Sequence, residues 1–82
     1  MPYTFNTAKL AAVILNTFGE RGEWVSLLNR ESPKYNNELW CTIKLISDGN
    51  LRQAEHKMAS RIGRKAHKAY KQAKEIQAFG QA

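Results

Sequence analysis

Apolar positions along the chain recur with two different periods. From Thr7 the pattern is helical: Leu10, Val13, Ile14 and Phe18 stand at i, i+3, i+4 and i+8 and share one face of a 3.6-residue turn. Asn6 or Thr7 is suited to cap its start, because a short side-chain oxygen satisfies the free N–H groups of a first turn. Gly19 and Gly22 are suited to end it. The period then shifts to two. Glu23 to Arg30 sets Val25 and Leu27 against Trp24, Ser26 and Leu28, and Glu38 to Ser47 sets Leu39, Cys41, Ile43 and Leu45 against Trp40, Thr42, Lys44 and Ile46. The segment between them, 31–37, is turn chemistry, with a proline that cannot donate to a ladder and asparagines that bond their own backbone. This spacing predicts an antiparallel hairpin, and a weak alternation over Tyr3 to Thr7 predicts an additional edge strand.

Ser47-Asp-Gly-Asn50 stops the second strand, and Asn50 with Gln53 has the spacing of a capping box. Helix-forming residues then continue to about Phe79. Counted at about 100° per residue from Leu51, the residues Met58, Ile62, Ala69, Ala73 and Ile76 fall near one line, a stripe expected to lie on the sheet together with Leu39, Cys41, Ile43 and Leu45. Gly63 interrupts this helix on its polar side and marks a bend or a break. The expected fold is therefore α+β in the order α-β-β-α: a small antiparallel hairpin packed by a short N-terminal helix and a long basic C-terminal helix.

Length and cysteine content narrow the class. The 82 residues suit one domain, 1–82, with a modest core. Cys41 is the only cysteine, so no internal disulfide forms; a lone thiol fits a reducing compartment and here reads as a small buried hydrophobe. The N-terminus lacks the order of a signal peptide, and the longest apolar run, Leu10 to Leu15, is too short to span a bilayer. A soluble, cytoplasmic protein that does not engage membrane is expected. The alanines at 66, 69 and 73 suit close packing better than lipid insertion.

Charge is where the two halves differ. Residues 1–48 carry five bases and five acids, whereas residues 49–82 carry eight bases and two acids, so the whole net charge of +6 sits in the C-terminal part. Lys57, Arg61, Arg64, Lys68 and Lys71 step by four and three residues and would form one column along roughly 20 Å of a continuous helix, with Lys65 beside it. Such a row can follow a phosphate backbone or dock on an acidic protein surface; its bland alternative is a solvated helix face. Trp24 and Trp40, with Lys44, fall on the outer face of the expected hairpin, where aromatics beside cations can stack bases; Tyr35 in the loop is a further contact. The plainer reading places the tryptophans in the core or at a protein interface.

Residues for chemistry are sparse. His56 and His67 stand eleven positions apart, about 16 Å on one helix, too far to share a metal. Glu55-His-Lys57 has the acid-x-lysine order of some nuclease sites but falls inside a helix. No phosphate loop, dinucleotide motif or nucleophile elbow is present, so no catalytic or metal-binding residue and no cofactor are expected. A hairpin between the helices also leaves no helix-turn-helix, and sequence-specific DNA reading is not expected. The expected function is a non-enzymatic binding module for nucleic acid or a nucleic-acid-handling complex; the alternative is an adaptor or inhibitor on an acidic protein surface. In size, simple build and positive face, and in a helix opening like Asn50-Leu-Arg-Gln-Ala-Glu-His-Lys-Met-Ala-Ser-Arg61, the chain resembles small phage and mobile-element proteins of the anti-CRISPR type. That resemblance covers mainly residues 38–62 and implies an inhibitor occupying a nucleic-acid path or subunit surface of a host defence complex.

Overall fold

The computed structural model describes residues 6–80 and places five α-helices in them, with no strand among the described residues. They are α1 (Thr7–Asn16), α2 (Arg21–Leu28), α3 (Asn37–Ser47), α4 (Leu51–Lys57), which continues into a π-helical turn (Met58–Ile62), and α5 (Arg64–Gly80). The α+β expectation is thereby corrected: both expected strands are helices. The edge strand expected at Tyr3 to Thr7 falls largely outside the described residues, and its last member, Thr7, opens α1.

Local chemistry explains each helix. In α1 the Asn6 side chain accepts from the Lys9 backbone N–H at 3.1 Å, and Leu10 and Ile14 are buried one turn apart. In α3 the Asn36 side chain accepts from the Leu39 N–H at 3.1 Å, with Glu38 in the first turn and Lys44 in the last, each complementing the helix dipole. Its buried residues, Leu39, Thr42 and Ile46, have helical spacing. Thr42 is accommodated because its hydroxyl donates to the Glu38 carbonyl at 2.8 Å. Cys41, expected on a buried sheet face, is half-buried, with its thiol 4.0 Å from the Asn37 side-chain oxygen. In α2 the residues Trp24, Leu27 and Leu28 pack on the core at i, i+3 and i+4, while Val25 stands 46% exposed. The 31–37 turn survives as a helix connection, held where the Asn36 N–H donates to the Leu27 carbonyl at 2.7 Å.

The single long helix is the second correction. After the π-helical turn, Gly63 adopts φ 132° and ψ 162°, a conformation open essentially to glycine alone. The chain folds back there. The Tyr70 hydroxyl reaches the Leu51 carbonyl at 3.5 Å, and the Lys74 ammonium reaches the Glu55 carboxylate at 3.1 Å. Both pairs are 19 residues apart, a separation that a continuous helix would set at about 28 Å. The expected Asn50–Gln53 box does not form, since Asn50 occupies the cap position without a side-chain bond.

The reset of phase at residues 58–63 also changes the apolar stripe. The buried members are Ala54 and Met58 on one arm and Ala66 and Tyr70 on the other, whereas Ile76 is 71% exposed. With Leu10, Ile14, Leu15, Leu39 and Ile46 they form one core, each large apolar side chain contributing about 1.5–3 kcal/mol by leaving water. α5 lies on α1 and α4 lies on α3, while α1 and α3 also pack on each other. The start of α1 is tied to the far part of α5, where the Gln77 side-chain oxygen accepts from the Asn6 N–H at 2.7 Å.

Candidate functional site

The fold-back at Gly63 decides where the cations go. Lys57 ends α4, Arg61 lies in the π-helical turn and Arg64 opens α5, so the five column residues sit on two arms. Lys57 and Arg61 line one open groove with Arg52, Gln53, His56 and Ser60. Arg64, Lys68 and Lys71 line a second with His67, Gln72 and Glu75. Lys65 is exposed beside this second set.

Pairing separates these residues further. Lys57 is held by Glu38 of α3, its ammonium 2.8 Å from the carboxylate. The hydrogen bond from Lys57 keeps the Glu38 carboxyl below its ordinary range, against an opposing effect of desolvation; the charges of Lys57 and Arg61 add to the lowering. Arg52, Arg61, Arg64, Lys65, Lys68 and Lys71 are all exposed, and none is in an ion pair among the described residues. Lys74 is engaged instead, by Glu55 and over the Tyr70 ring, 5.4 Å from its centroid. Among the described residues, no acid lines the α4 groove, whereas Glu75 lines the α5 groove.

The aromatic set is distributed over separate elements. Trp24 sits on α2 against the core, with its indole N–H buried and without a hydrogen-bond partner among the described residues. Trp40 is half-buried on α3, and Lys44 lies 5.5 Å from its ring centroid. Arg30, in the turn after α2, lies 4.8 Å from the same centroid. Tyr35 donates its hydroxyl to the Asn37 side chain at 3.2 Å. Arg30, Arg52 and Gln53 are not among the sequence candidates: the spacing of Arg52, Gln53 and His56 on one helix face is readable in the sequence, whereas Arg30, in the turn after α2, carries no such signal.

The chemistry-bearing residues are dispersed in the same way. The ends of the Glu55-His-Lys57 triplet are drawn to different partners, Glu55 to Lys74 and Lys57 to Glu38. His56 and His67 line different grooves. Among the described residues no group of three or more His, Cys, Asp or Glu is placed to hold a metal ion, and no helix is long and apolar enough to cross a membrane. Only Asp48, Gly49 and Asn50 join α3 to α4, so the hairpin that set the two helices apart in the sequence reading is gone. Because Glu38 near the start of α3 meets Lys57 at the end of α4, the two run back along each other, unlike the near-right-angle crossing of a helix-turn-helix.

Fold and surface together define a small all-helical domain presenting two cationic grooves. No protein family, curated protein or solved structure matches the chain.

Proposed function

We propose that this chain is a non-enzymatic module that binds nucleic acid through its cationic helices, with Arg61, Arg64, Lys65, Lys68 and Lys71 as contacts and Lys57 joining them at the cost of its bond to Glu38. The observation that supports this reading most is that Arg52, Arg61, Arg64, Lys65, Lys68 and Lys71 are exposed and in no ion pair among the described residues, in a chain whose net charge of +6 resides entirely in residues 49–82. A solvated helix face normally mixes signs, and releasing counterions from phosphates rewards one in which bases predominate. Trp40, with Lys44 and Arg30 around its ring, is a secondary contact on α3. As an inhibitor of a host defence complex, the role implied by the anti-CRISPR resemblance, the module would use the same bases to occupy a nucleic-acid path.

The test is fluorescence anisotropy with labelled single- and double-stranded oligonucleotides over a range of salt. Affinity should fall with a log–log slope of about −0.7 to −0.9 per phosphate neutralised. Reversing Arg64 and Lys68 to glutamate together should weaken binding at least about tenfold with an unchanged circular dichroism spectrum, since exposed charges contribute little to stability. Undiminished binding, or none by the parent protein, overturns the reading. Salt-sensitive binding to an acidic protein with which oligonucleotides do not compete would instead establish the adaptor alternative.

A further inference from the structure

We infer that the outer face of α4 is a reading surface for the major groove of duplex DNA, with Arg52, Gln53 and His56 directed at base edges; this rests on the nucleic-acid reading above and specifies its ligand. At about 100° per residue Arg52, Gln53 and His56 fall within an arc of about 100°, and Ala54 and Met58 lie on the opposite side. The burial agrees: Arg52, Gln53 and His56 are exposed, and Ala54 and Met58 are fully buried. The helix is thus anchored by one side and free along the other.

The side chains on that free side are unlike a plain solvated face. An arginine fork matches the two acceptors of guanine, a glutamine amide matches the donor and acceptor of adenine, and histidine and serine can bond either. Arg61 flanks them as a phosphate contact, joined by Lys57 where it exchanges Glu38 for a phosphate, and no acid lines the groove itself among the described residues. From Arg52 to Ser60 is about 12 Å of helix, three to four base-pair steps. The major groove of B-form DNA, about 12 Å wide, admits one helix, whereas the major groove of duplex RNA is too deep and narrow for side chains to read. Leu45 of α3 lines the same groove, so the face is presented along the α3–α4 hairpin without a helix-turn-helix crossing.

The test is selection of bound duplexes from a random-sequence DNA pool by the full chain, followed by anisotropy on the enriched sequence. An enriched site of three to four base pairs is expected, bound more tightly than scrambled DNA and than duplex RNA of the same sequence. Gln53→Ala should relax the preference at one base pair by about 5- to 150-fold, while affinity for scrambled DNA changes less than about twofold, because no charge is lost. Arg52→Lys, which keeps the charge and loses the fork, should relax a second position and leave the salt slope unchanged. Both residues are exposed, and circular dichroism verifies that the variants fold. Duplex binding with no enriched sequence, or variants that weaken all sequences equally, overturns the inference and leaves the nucleic-acid module standing. Absence of binding to every duplex and single strand overturns both.

Discussion

Replacing Gly63 by alanine tests the turn that organises the whole C-terminal half, because the two candidate folds give effects of opposite sign. In a continuous helix alanine is preferred over glycine by about 0.5–1 kcal/mol, so the substitution would stabilise. At φ 132° and ψ 162° the same change is destabilising. Nothing lies within 4 Å of an added Cβ, so collision contributes nothing and the cost is the backbone's alone, about 1–3 kcal/mol. Escape into helical geometry is no cheaper. It would swing α5 away from α4, breaking the Tyr70–Leu51 and Lys74–Glu55 contacts and uncovering Tyr70, which is now fully buried. Urea unfolding followed by circular dichroism reads the difference directly, and a melting temperature lowered by about 4–8 °C per kcal/mol gives a second measure for a chain of this size. Equal or greater stability in Gly63→Ala would refute the fold-back and restore the long helix.

The remaining tests probe the core. Burial, with the Glu55 charge adding, pushes the Tyr70 hydroxyl up to about 12, against about 10 in the unfolded chain. Between those values the folded state keeps a proton that the unfolded state has lost, so Tyr70's contribution to stability is complete below pH 10 and declines toward pH 12. The urea midpoint should fall across that window and fall less in Tyr70→Phe; equal falls would mean that Tyr70 is not the group responsible. Trp24→Phe should change stability by less than about 1 kcal/mol, since the area it removes is offset by deleting a buried N–H without a partner among the described residues. A loss of about 3 kcal/mol or more would show that the indole N–H is satisfied in solution.

The fold was legible where local and tertiary preferences agree. In α1 the cap and the 3.6-residue period point the same way, and Asn6, Leu10 and Ile14 behave accordingly. In 38–47 they conflict. Six of its ten residues are large or apolar (Leu39, Trp40, Cys41, Ile43, Leu45 and Ile46), enough to satisfy a period of two and a period of 3.6 alike. β-branched and aromatic side chains then tilt a purely local reading toward strand, while packing on α1 and α4 decides for helix. The signals that could have decided it are at the ends: Asn36 as cap, Glu38 in the first turn, Lys44 in the last, and Gly49 with φ 83° just beyond. A helix is specified as much by its terminators as by its stripe.

The site was legible as composition and not as geometry, for a related reason. The excess of bases after residue 49 is a property of the sequence and holds in any fold. A column of Lys57, Arg61, Arg64, Lys68 and Lys71 requires every residue between them to advance by the same 100°. Five residues of π-helix and one glycine with positive φ break that requirement at Met58–Gly63, between the first and third members of the column. The consequence reaches beyond the loss of alignment. Packing on α3 now orients α4, with Arg52, Gln53 and His56 outward, while packing on α1 orients α5, with Arg64, Lys68 and Lys71 outward. Two faces oriented by different neighbours are free to differ in chemistry. Both combine bases with amide and imidazole groups; the α4 groove adds Leu45 and the Ser60 hydroxyl and is lined by no acid among the described residues, whereas Glu75 lines the α5 groove. Under the proposed function, the groove without an acid is the one suited to approach bases, and the other is suited to hold a phosphate backbone.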